Sequence, residues 1–482
     1  MNKERLDERR ESTSADIDVA VNAATTAWPA WSSSQPARRV GALQALAAAL
    51  EAAREELVPI AHEETYLGIP RLNGELDRTA FQLRVFADAV EAGDAFPMFE
   101  DPAVPGLPPV GHPHLVRAAV PLGPVAMFSA SNFPFAFSVL GGDTASALAA
   151  GCPVVVKAHP AHPKLSRAVF KLAQQALQAA GAPDGVLTMV EGASKDVGVY
   201  LVQHPGIAAV AFTGSFAAGA ALQREVNTRP RPIPFYGELG SINPIVALPS
   251  AIETNGNELA QTLAASIAQG CGQFCTSPGL LVLRGNANSQ SFLRQLAERL
   301  DEQTTHAMLT PAIRDAFERG AARLCAHPGA RRLNHANPRA DGNPQPNLVQ
   351  IDVAAFLAEP GLREEVFGPS CVVLVTDSTE QTLQVLDAVE GSLTVTVWGA
   401  EEESEETRRI VRAAMNVGGR VLFSGVPTGV AVTRGQHHGG PWPASTQPQT
   451  TSVGQAALQR FLRPVALQDA PAWLMQRGGV PC

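Results

Sequence analysis

The feature that most restricts the fold is a change of rhythm about a quarter of the way along the chain. Beyond residue 120, short apolar runs at Val125–Phe128, Val154–Lys157, Val186–Val190 and Ala208–Phe212 alternate with alanine-rich stretches of helical period such as Leu165–Ala180. Runs without polar alternation are strands buried on both faces, and a helix between each pair carries the chain back across the sheet. This segment therefore predicts βαβ units on a parallel sheet. A second set of runs, Leu280–Leu283, Cys371–Val375 and Leu393–Val397, predicts another α/β unit in the C-terminal half.

The N-terminal ninety or so residues read as helices: Ser34 and Pro36 precede the Leu43, Leu46, Leu50 pattern, and Leu76, Ala80, Leu83, Ala87 and Val90 repeat at fours and threes. Six prolines between Phe96 and Pro113 end that pattern and predict an extended arm. Arg460–Gln468 reads as a strand whose Pro464 must lie at an edge. The run Glu401–Glu406 followed by Arg408, Arg409 and Arg412 reads as a solvated helix.

Composition excludes several classes. Hydrophobic residues at 45% and charged residues at 17% belong to a globular chain, and 37 basic against 46 acidic residues give a net charge of −9, with no support for nucleic-acid binding. The six cysteines, Cys152, Cys271, Cys275, Cys325, Cys371 and Cys482, are too scattered for a disulfide framework, so a cytoplasmic, reducing setting is expected. The N-terminal charges, with Arg9 and Arg10 among them, precede no apolar run. The longest apolar stretch, Val139–Val156, is broken by Asp143, so no membrane association is expected.

Cys275 stands in Gly272-Gln273-Phe274-Cys275-Thr276-Ser277-Pro278-Gly279, a turn between a helical stretch and a strand, where a thiol can act as a nucleophile rather than as a core residue. Cys271 lies nearby, but no Cys or His set at zinc spacing joins it, and no metal is expected. A thiol attacking a carbonyl needs oxyanion donors and a base. Asn132, after the strand Val125–Phe128, would offer an amide at the carboxyl end of the sheet, or it is a turn former. Glu238, between glycines in Tyr236-Gly237-Glu238-Leu239-Gly240, is a base if buried and a solvated turn residue if not. The run Phe212-Thr213-Gly214-Ser215 ends a strand and opens a helix whose N–H groups suit a pyrophosphate. Lys157 ends a strand, where an ammonium either reaches ribose hydroxyls or is simply solvated.

Six motifs in order, Ser131-Asn132-Phe133-Pro134, Val154-Val155-Val156-Lys157, Phe212-Thr213-Gly214-Ser215, Glu238-Leu239-Gly240, Gly272-Gln273-Phe274-Cys275 and Glu365-Val366-Phe367-Gly368-Pro369, make the chain resemble the aldehyde dehydrogenase superfamily from about Thr79 to Pro464. The resemblance implies two Rossmann-type parallel-sheet α/β domains and a small oligomerisation arm. Residues 1–98 and 119–240 would bind the cofactor, 241–442 would carry the nucleophile, and 99–118 with 443–482 would bridge subunits of a homodimer or homotetramer. It further implies that Cys275 is the nucleophile, Glu238 the base, and the Asn132 amide with the Cys275 N–H the oxyanion hole. Lys157, Gly214, Ser215, Glu365 and Phe367, with Phe128 and Pro160 beside them, would hold NAD or NADP.

Longer matches, Gly141-Gly142-Asp143-Thr144, Lys157-Ala158-His159-Pro160-Ala161-His162-Pro163, Gly240-Ser241-Ile242-Asn243-Pro244 and His438-Gly439-Gly440-Pro441, are similar to the branch of 2-oxoglutarate semialdehyde dehydrogenases and NADP-linked fatty aldehyde dehydrogenases. Tyr236-Gly237 and Thr433-Arg434-Gly435-Gln436 depart from that branch. Pro160 stands where many NAD-preferring relatives have a glutamate, which leans the cofactor towards NADP, with Lys157 and Lys164 near a 2′-phosphate. For a semialdehyde acid, Arg434 is the candidate carboxylate anchor, and Phe133 is the other candidate substrate residue. His159, His162, His437 and His438 are expected in loop and packing roles. Glu238 argues against an acylating relative that passes the acyl group to coenzyme A, and the intact set of motifs argues against a non-catalytic version of the fold.

Overall fold

The computed structural model describes residues 10–335 and 341–475, so Arg9 and Cys482 lie outside the described residues. The proline-rich arm carries β1 (Phe99–Asp101), which pairs antiparallel with β2 (Leu115–Pro121). Then come β3 (Val125–Phe128), β4 (Val154–Lys157), β5 (Leu187–Val190), β6 (Ala209–Thr213) and β7 (Phe235–Glu238). They form a five-stranded, all-parallel sheet in the order β5-β4-β3-β6-β7. The chain winds outward from β3 to β5 and then crosses to β6 on the other side of β3. This reversal opens a crevice at the carboxyl ends of the strands.

The second sheet holds β8 (Pro244–Ala247), β9 (Leu280–Arg284), β10 (Ala330–Arg332), β11 (Asn347–Ile351), β12 (Ser370–Thr376), β13 (Ser392–Trp398) and β14 (Gly418–Leu422). Its order is β10-β11-β12-β9-β8-β13-β14, parallel except for β10 against β11. Last, β15 (Leu462–Gln468) pairs antiparallel with β2, and Pro464 sits on this edge strand as a residue without an N–H should.

The apolar runs were strands for the reason given by their sequence. Val154, Val155 and Val156 of β4 are fully buried, as are Val125 and Ala126 of β3, because helices cover both faces. On one face the helices Ser14–Ser32, Pro36–Ala52 and Ile69–Glu91 pack Trp31, Leu43, Leu46, Leu76 and Leu83 into a core shared with β3 and β4. Each such buried leucine contributes about 2 kcal/mol. The helix that includes the acidic run starts later than its charges, at Glu405–Val417, with Ser404 as its cap. Among the described residues, no helix is long and apolar enough to cross a membrane. The described cysteines are free thiols.

Asp143, which interrupts the long apolar stretch, is buried on the helix Gly142–Ala150 and meets Arg460 at 2.6 Å, itself buried just ahead of β15. The pair ties the C-terminal segment to the first sheet's helices. Removing one partner leaves a buried charge alone, so Asp143→Ala is expected to lose about 3–5 kcal/mol, whereas replacing both with Leu and Met recovers most of it. Urea unfolding of the single and double variants measures this; an Asp143→Ala midpoint equal to that of the unaltered chain would show that the pair contributes nothing.

Candidate active site

The parallel register sets the site. At the carboxyl edge of the first sheet, Phe128 lies opposite both Lys157 and Phe212, and Thr213 lies opposite Glu238. Phe128, Lys157, Phe212 and Gly237 thus share one row at this edge, and Thr213 with Glu238 stand one residue beyond it. Glu238 is no solvated turn residue: it ends β7 and is only 4% exposed. The C-terminal segment wraps it, with Leu239 N–H donating to the Ala444 carbonyl at 2.8 Å and Gly237 N–H to Thr446 Oγ1 at 2.8 Å.

That wrap brings in two residues the sequence reading did not connect to Glu238. Ser452 Oγ donates to Glu238 Oε2 at 2.5 Å, and His438 Nε2 lies 3.0 Å from Oε1. A carboxylate only accepts, so Nε2 carries the hydrogen; His438 Nδ1 is buried without a partner among the described residues. The same Nε2 is 3.6 Å from Cys275 Sγ. His438 therefore has no mere packing role. His162 does pack as expected, bonded to the Ala130 carbonyl at 2.9 Å and to Ser166 Oγ.

Cys275 arrives from the second sheet, in the loop between the helix Pro249–Ala268 and β9. Asn243 fixes that loop: its Nδ2 donates to the Cys275 carbonyl at 2.8 Å and the Ser277 carbonyl at 2.9 Å. Gly272, at φ +64°, lies so close to the Glu365–Pro369 loop that a Cβ there would fall 2.2 Å from the Gly368 carbonyl carbon. Asn132 approaches from the first sheet. Its Nδ2 donates one hydrogen to the Gln273 carbonyl at 3.0 Å and keeps the second, while the backbone carbonyl of Asn132 accepts from Arg71 Nη2 at 2.6 Å.

The charges oppose one another. Burial pushes the Glu238 carboxyl up, but the charge and hydrogen bond of His438, with the Ser452 and Cys275 donors, hold it below the usual carboxylate range. Burial, reinforced by the negative charges of Glu238 and Glu365, pushes the Cys275 thiol well above its ordinary value. Burial lifts Glu365 to about 8 against the Ser241 N–H, which pulls it down. A proton can thus rest on sulfur and pass to Glu238 when the sulfur reacts. Glu238, Cys275 and His438 also offer O, S and N atoms within 4.8 Å of one another, a donor set that a divalent ion can use.

A cavity of about 370 Å³ unites Asn132, Phe133, Gly214, Ser215, Glu238, Cys275, Glu365 and Phe367. Ser215 caps the helix Phe216–Asn227, accepting from Ala218 N–H, so the first N–H groups of that helix point to the same mouth. A Cβ on Gly240 would meet Glu365 Oε2 at 2.6 Å, which shows how tightly the two sheets close on this cavity. Lys157 ends β4 and donates to the Gly192 carbonyl. Burial pulls its pKa down to about 8, opposed by the Glu11 carboxylate. Pro160 lies beside it in a smaller pocket with Arg10, Arg167 and Gly192. These residues fit an adenine dinucleotide: an ammonium at a strand end, a helix start, and a buried carboxyl at the reacting end.

Three expectations need correction. Arg434 is 75% exposed and ion-paired with Asp94 at 2.9 Å, and it is not among the residues lining the cavity. Phe128 is also absent from the cavity wall; its ring packs in the core against Phe212, with centroids 6.0 Å apart. Lys164 faces Glu63 at 3.9 Å.

A sequence model described as the aldehyde dehydrogenase family matches residues 1–440. Alpha-ketoglutaric semialdehyde dehydrogenase 2 of Azospirillum brasilense is 41% identical over 465 residues, covering 96% of this chain and 89% of that one. Alpha-ketoglutaric semialdehyde dehydrogenase of Acinetobacter baylyi is 36% identical over 467 residues, covering 96% and 88%. Among solved structures, an NAD-dependent aldehyde dehydrogenase from Sinorhizobium meliloti has the same fold, with a TM-score of 0.78 at 22% identity over 96% of this chain and 88% of that one. Proline utilization A of Bradyrhizobium japonicum gives a TM-score of 0.80 at 24% identity; 96% of this chain matches, spanning 46% of that longer one. The motifs that drew the first resemblance lie on the two sheets and at the cavity between them, and with these matches the chain belongs to the aldehyde dehydrogenase family.

Proposed function

We propose that the protein oxidises 2-oxoglutarate semialdehyde to 2-oxoglutarate with NAD(P), through a covalent intermediate on Cys275. The observation that carries this reading is the meeting of Cys275, Glu238 and Asn132 in one cavity, with His438 against both the sulfur and the carboxylate, in a chain whose curated relatives at 41% and 36% identity are named for that substrate.

In this reading Cys275 Sγ bonds to the aldehyde carbon while its proton passes to Glu238. His438 Nε2–H steadies both the sulfur and the carboxylate. The free hydrogen of Asn132 Nδ2 and the Cys275 N–H receive the carbonyl oxygen as it gains charge; one such donor is typically worth about 10²–10³ in kcat. Bound NAD(P)⁺ supplies the acceptor for the two electrons that leave the thiohemiacetal. Glu238 then gives that proton up to solvent, and the thioester is hydrolysed by a water that loses a proton to the freed carboxylate; Glu238 returns it to the departing sulfur, which releases the acid and restores the thiol.

Lys157 and Ser215, with Gly214, hold the adenosine diphosphate half of the cofactor in this reading, and Glu365 and Phe367 hold the nicotinamide ribose. The cofactor leans to NADP: Pro160 adds no carboxylate, and Arg10 lines the same pocket together with Arg167, whose guanidinium is paired with Glu191 at 2.7 Å. Glu11 is close, but both its oxygens are engaged by the Ala193 and Ser194 N–H groups at 3.0 Å. Assembly into a dimer or tetramer through the arm is supported by its exposed apolar residues, Met98, Phe99, Leu107 and Val110. The free thiols suit a reducing cytoplasm. A second reading, a general or fatty aldehyde dehydrogenase, draws on the cavity's aromatic wall of Phe133 and Phe137.

NAD(P)H formation with 2-oxoglutarate semialdehyde and with hexanal, each cofactor in turn, separates the two. A hundredfold advantage for the acid in kcat/KM, about 2.7 kcal/mol, is expected, as is a better rate with NADP. Parity with hexanal transfers the protein to the second reading, and equal or better kcat/KM with NAD removes the lean. Cys275→Ala is expected to abolish turnover while cofactor binding, read by fluorescence titration, persists; dialysis of the unaltered enzyme against EDTA is expected to leave its rate intact. A rate lost to EDTA and restored by zinc would make Glu238, Cys275 and His438 metal ligands instead.

His438→Ala removes the donor that holds Glu238 low. The Glu238 carboxyl then rises, and because it acts as a base only when ionised, the acidic limb of the kcat/KM profile moves to higher pH. An unmoved limb would assign His438 a role apart from Glu238.

A further inference from the structure

The helix Ile69–Glu91 turns a polar stripe inward. Arg71, Glu75, Arg78 and Gln82, spaced by four, three and four, share one face, and each keeps a buried atom without a hydrogen-bond partner: Arg71 Nη1, Glu75 Oε2, Arg78 Nε and Gln82 Oε1. Interiors rarely leave such groups unmet unless a ligand or water completes them. The stripe neutralises itself only in part, with one carboxyl against two guanidiniums. Glu75 Oε1 is taken by the Phe135 and Ala136 N–H groups, and its nearest approach to Arg71 is 4.0 Å.

This stripe backs the wall of the Cys275 cavity. The Arg71 guanidinium lies 5.0 Å from the Phe133 ring centroid and 4.7 Å from that of Phe274, the residue before Cys275. Arg78 donates to the Val430 carbonyl. Val430 packs in one apolar cluster with Ala130, Phe133 and Phe137, all three of which line the cavity. The Cys275 sulfur and the Glu75 and Glu238 carboxyls all lie close enough to interact with Arg78, so the guanidinium stands within electrostatic reach of the reacting centre. Arg420 donates to the Pro427 and Gly429 carbonyls of the same 427–430 segment and, like Arg78, keeps a buried Nε without a partner among the described residues.

We infer that Arg78, with Arg71 beside it, anchors the carboxylate at the end of the substrate remote from the aldehyde. The inference rests on the semialdehyde reading above and supplies the cation that Arg434, turned outward to Asp94, does not. A guanidinium with an unmet N–H behind an otherwise apolar wall matches a substrate that is a short carbon chain with one anionic end. A neutral aldehyde would leave that donor unpaired. Arg78 is thus a specificity-determining residue, and its loss should weigh on acidic substrates far more than on neutral ones.

The experiment compares kcat/KM for 2-oxoglutarate semialdehyde and for pentanal in the unaltered enzyme, in Arg78→Gln, whose amide still offers the Val430 carbonyl a donor, and in Arg78→Lys, which keeps the charge. Thermal unfolding verifies that each variant is folded. The acid-to-neutral ratio is expected to fall by at least roughly thirtyfold in Arg78→Gln and by less in Arg78→Lys. KM for the acid should rise more than its kcat falls. An undiminished ratio in Arg78→Gln, or equal losses on both aldehydes as a thiolate-stabilising charge would give, overturns the anchor and leaves the semialdehyde reading standing. An unaltered enzyme with no preference for the acid overturns that reading and the anchor together.

Discussion

The site depends first on the register of the five-stranded sheet. Because β3, β4, β6 and β7 run parallel and in step, Phe128, Lys157, Thr213 and Glu238 reach one edge together. A slip of one residue would turn Glu238 to the other face of its strand. Register alone would leave this carboxylate facing solvent, where its pKa would be ordinary and its orientation free. The C-terminal wrap at Ala444–Ser452 removes that freedom by closing over the end of β7 and lending it His438 and Ser452. The buried Asp143–Arg460 pair holds the tail that continues from this wrap, so an ion pair remote from the chemistry helps keep the base in place.

The nucleophile is positioned by a different device. Asn243 sits between the two sheets with its backbone at φ +49° and its side chain at once a donor and an acceptor. Nδ2 binds the Cys275 and Ser277 carbonyls, and Oδ1 accepts from Ser241 and Thr394. An amide can do this and a carboxylate cannot, since only the amide donates. The Cys275 loop is therefore fixed through its backbone, which leaves the sulfur free to move over the short distance between Glu238 and a substrate carbon.

Elements whose residues carry their own signal were legible in the sequence. Val125–Phe128 and Val154–Lys157 are strands at the predicted bounds, and Ser370–Thr376 extends the predicted run by one residue at each end. Strands that escaped notice include Leu115–Pro121 and Asn347–Ile351, and three more that carry a residue unfavourable to a strand. Phe235–Glu238 contains Gly237, Pro244–Ala247 opens on proline, and Gly418–Leu422 opens on two glycines. Each of these three is short, carries Gly or Pro, and lies against a buried strand that supplies its hydrogen bonds. Site residues divide in the same way. Cys275 and Glu238 stand in local motifs, whereas His438 meets Glu238 across 200 residues, and no local pattern announces such a contact. Arg434 looked suitable because it precedes a motif, yet its segment faces solvent. Arg78 was hidden in a helix read only for its apolar positions, Leu76, Ala80 and Leu83.

The charges then explain why the site can wait without reacting. A thiol ionised at rest inside a cavity open to small molecules would be alkylated or oxidised between turnovers. Here burial disfavours the thiolate and the Glu238 carboxylate opposes a second negative charge beside it, so the proton stays on sulfur. The same carboxylate that suppresses the thiolate becomes its proton acceptor once an electrophilic carbon draws the sulfur's electrons away. At that moment the negative charge moves to an oxygen facing Asn132, and the repulsion between sulfur and Glu238 falls. His438 makes the exchange workable because its Nε2–H, within reach of both the carboxylate and the sulfur, can serve either partner as the charge shifts. The resting state is thus held by repulsion that the reaction itself relieves, which is a form of preorganisation for the charge distribution of the transition state rather than for that of the free enzyme.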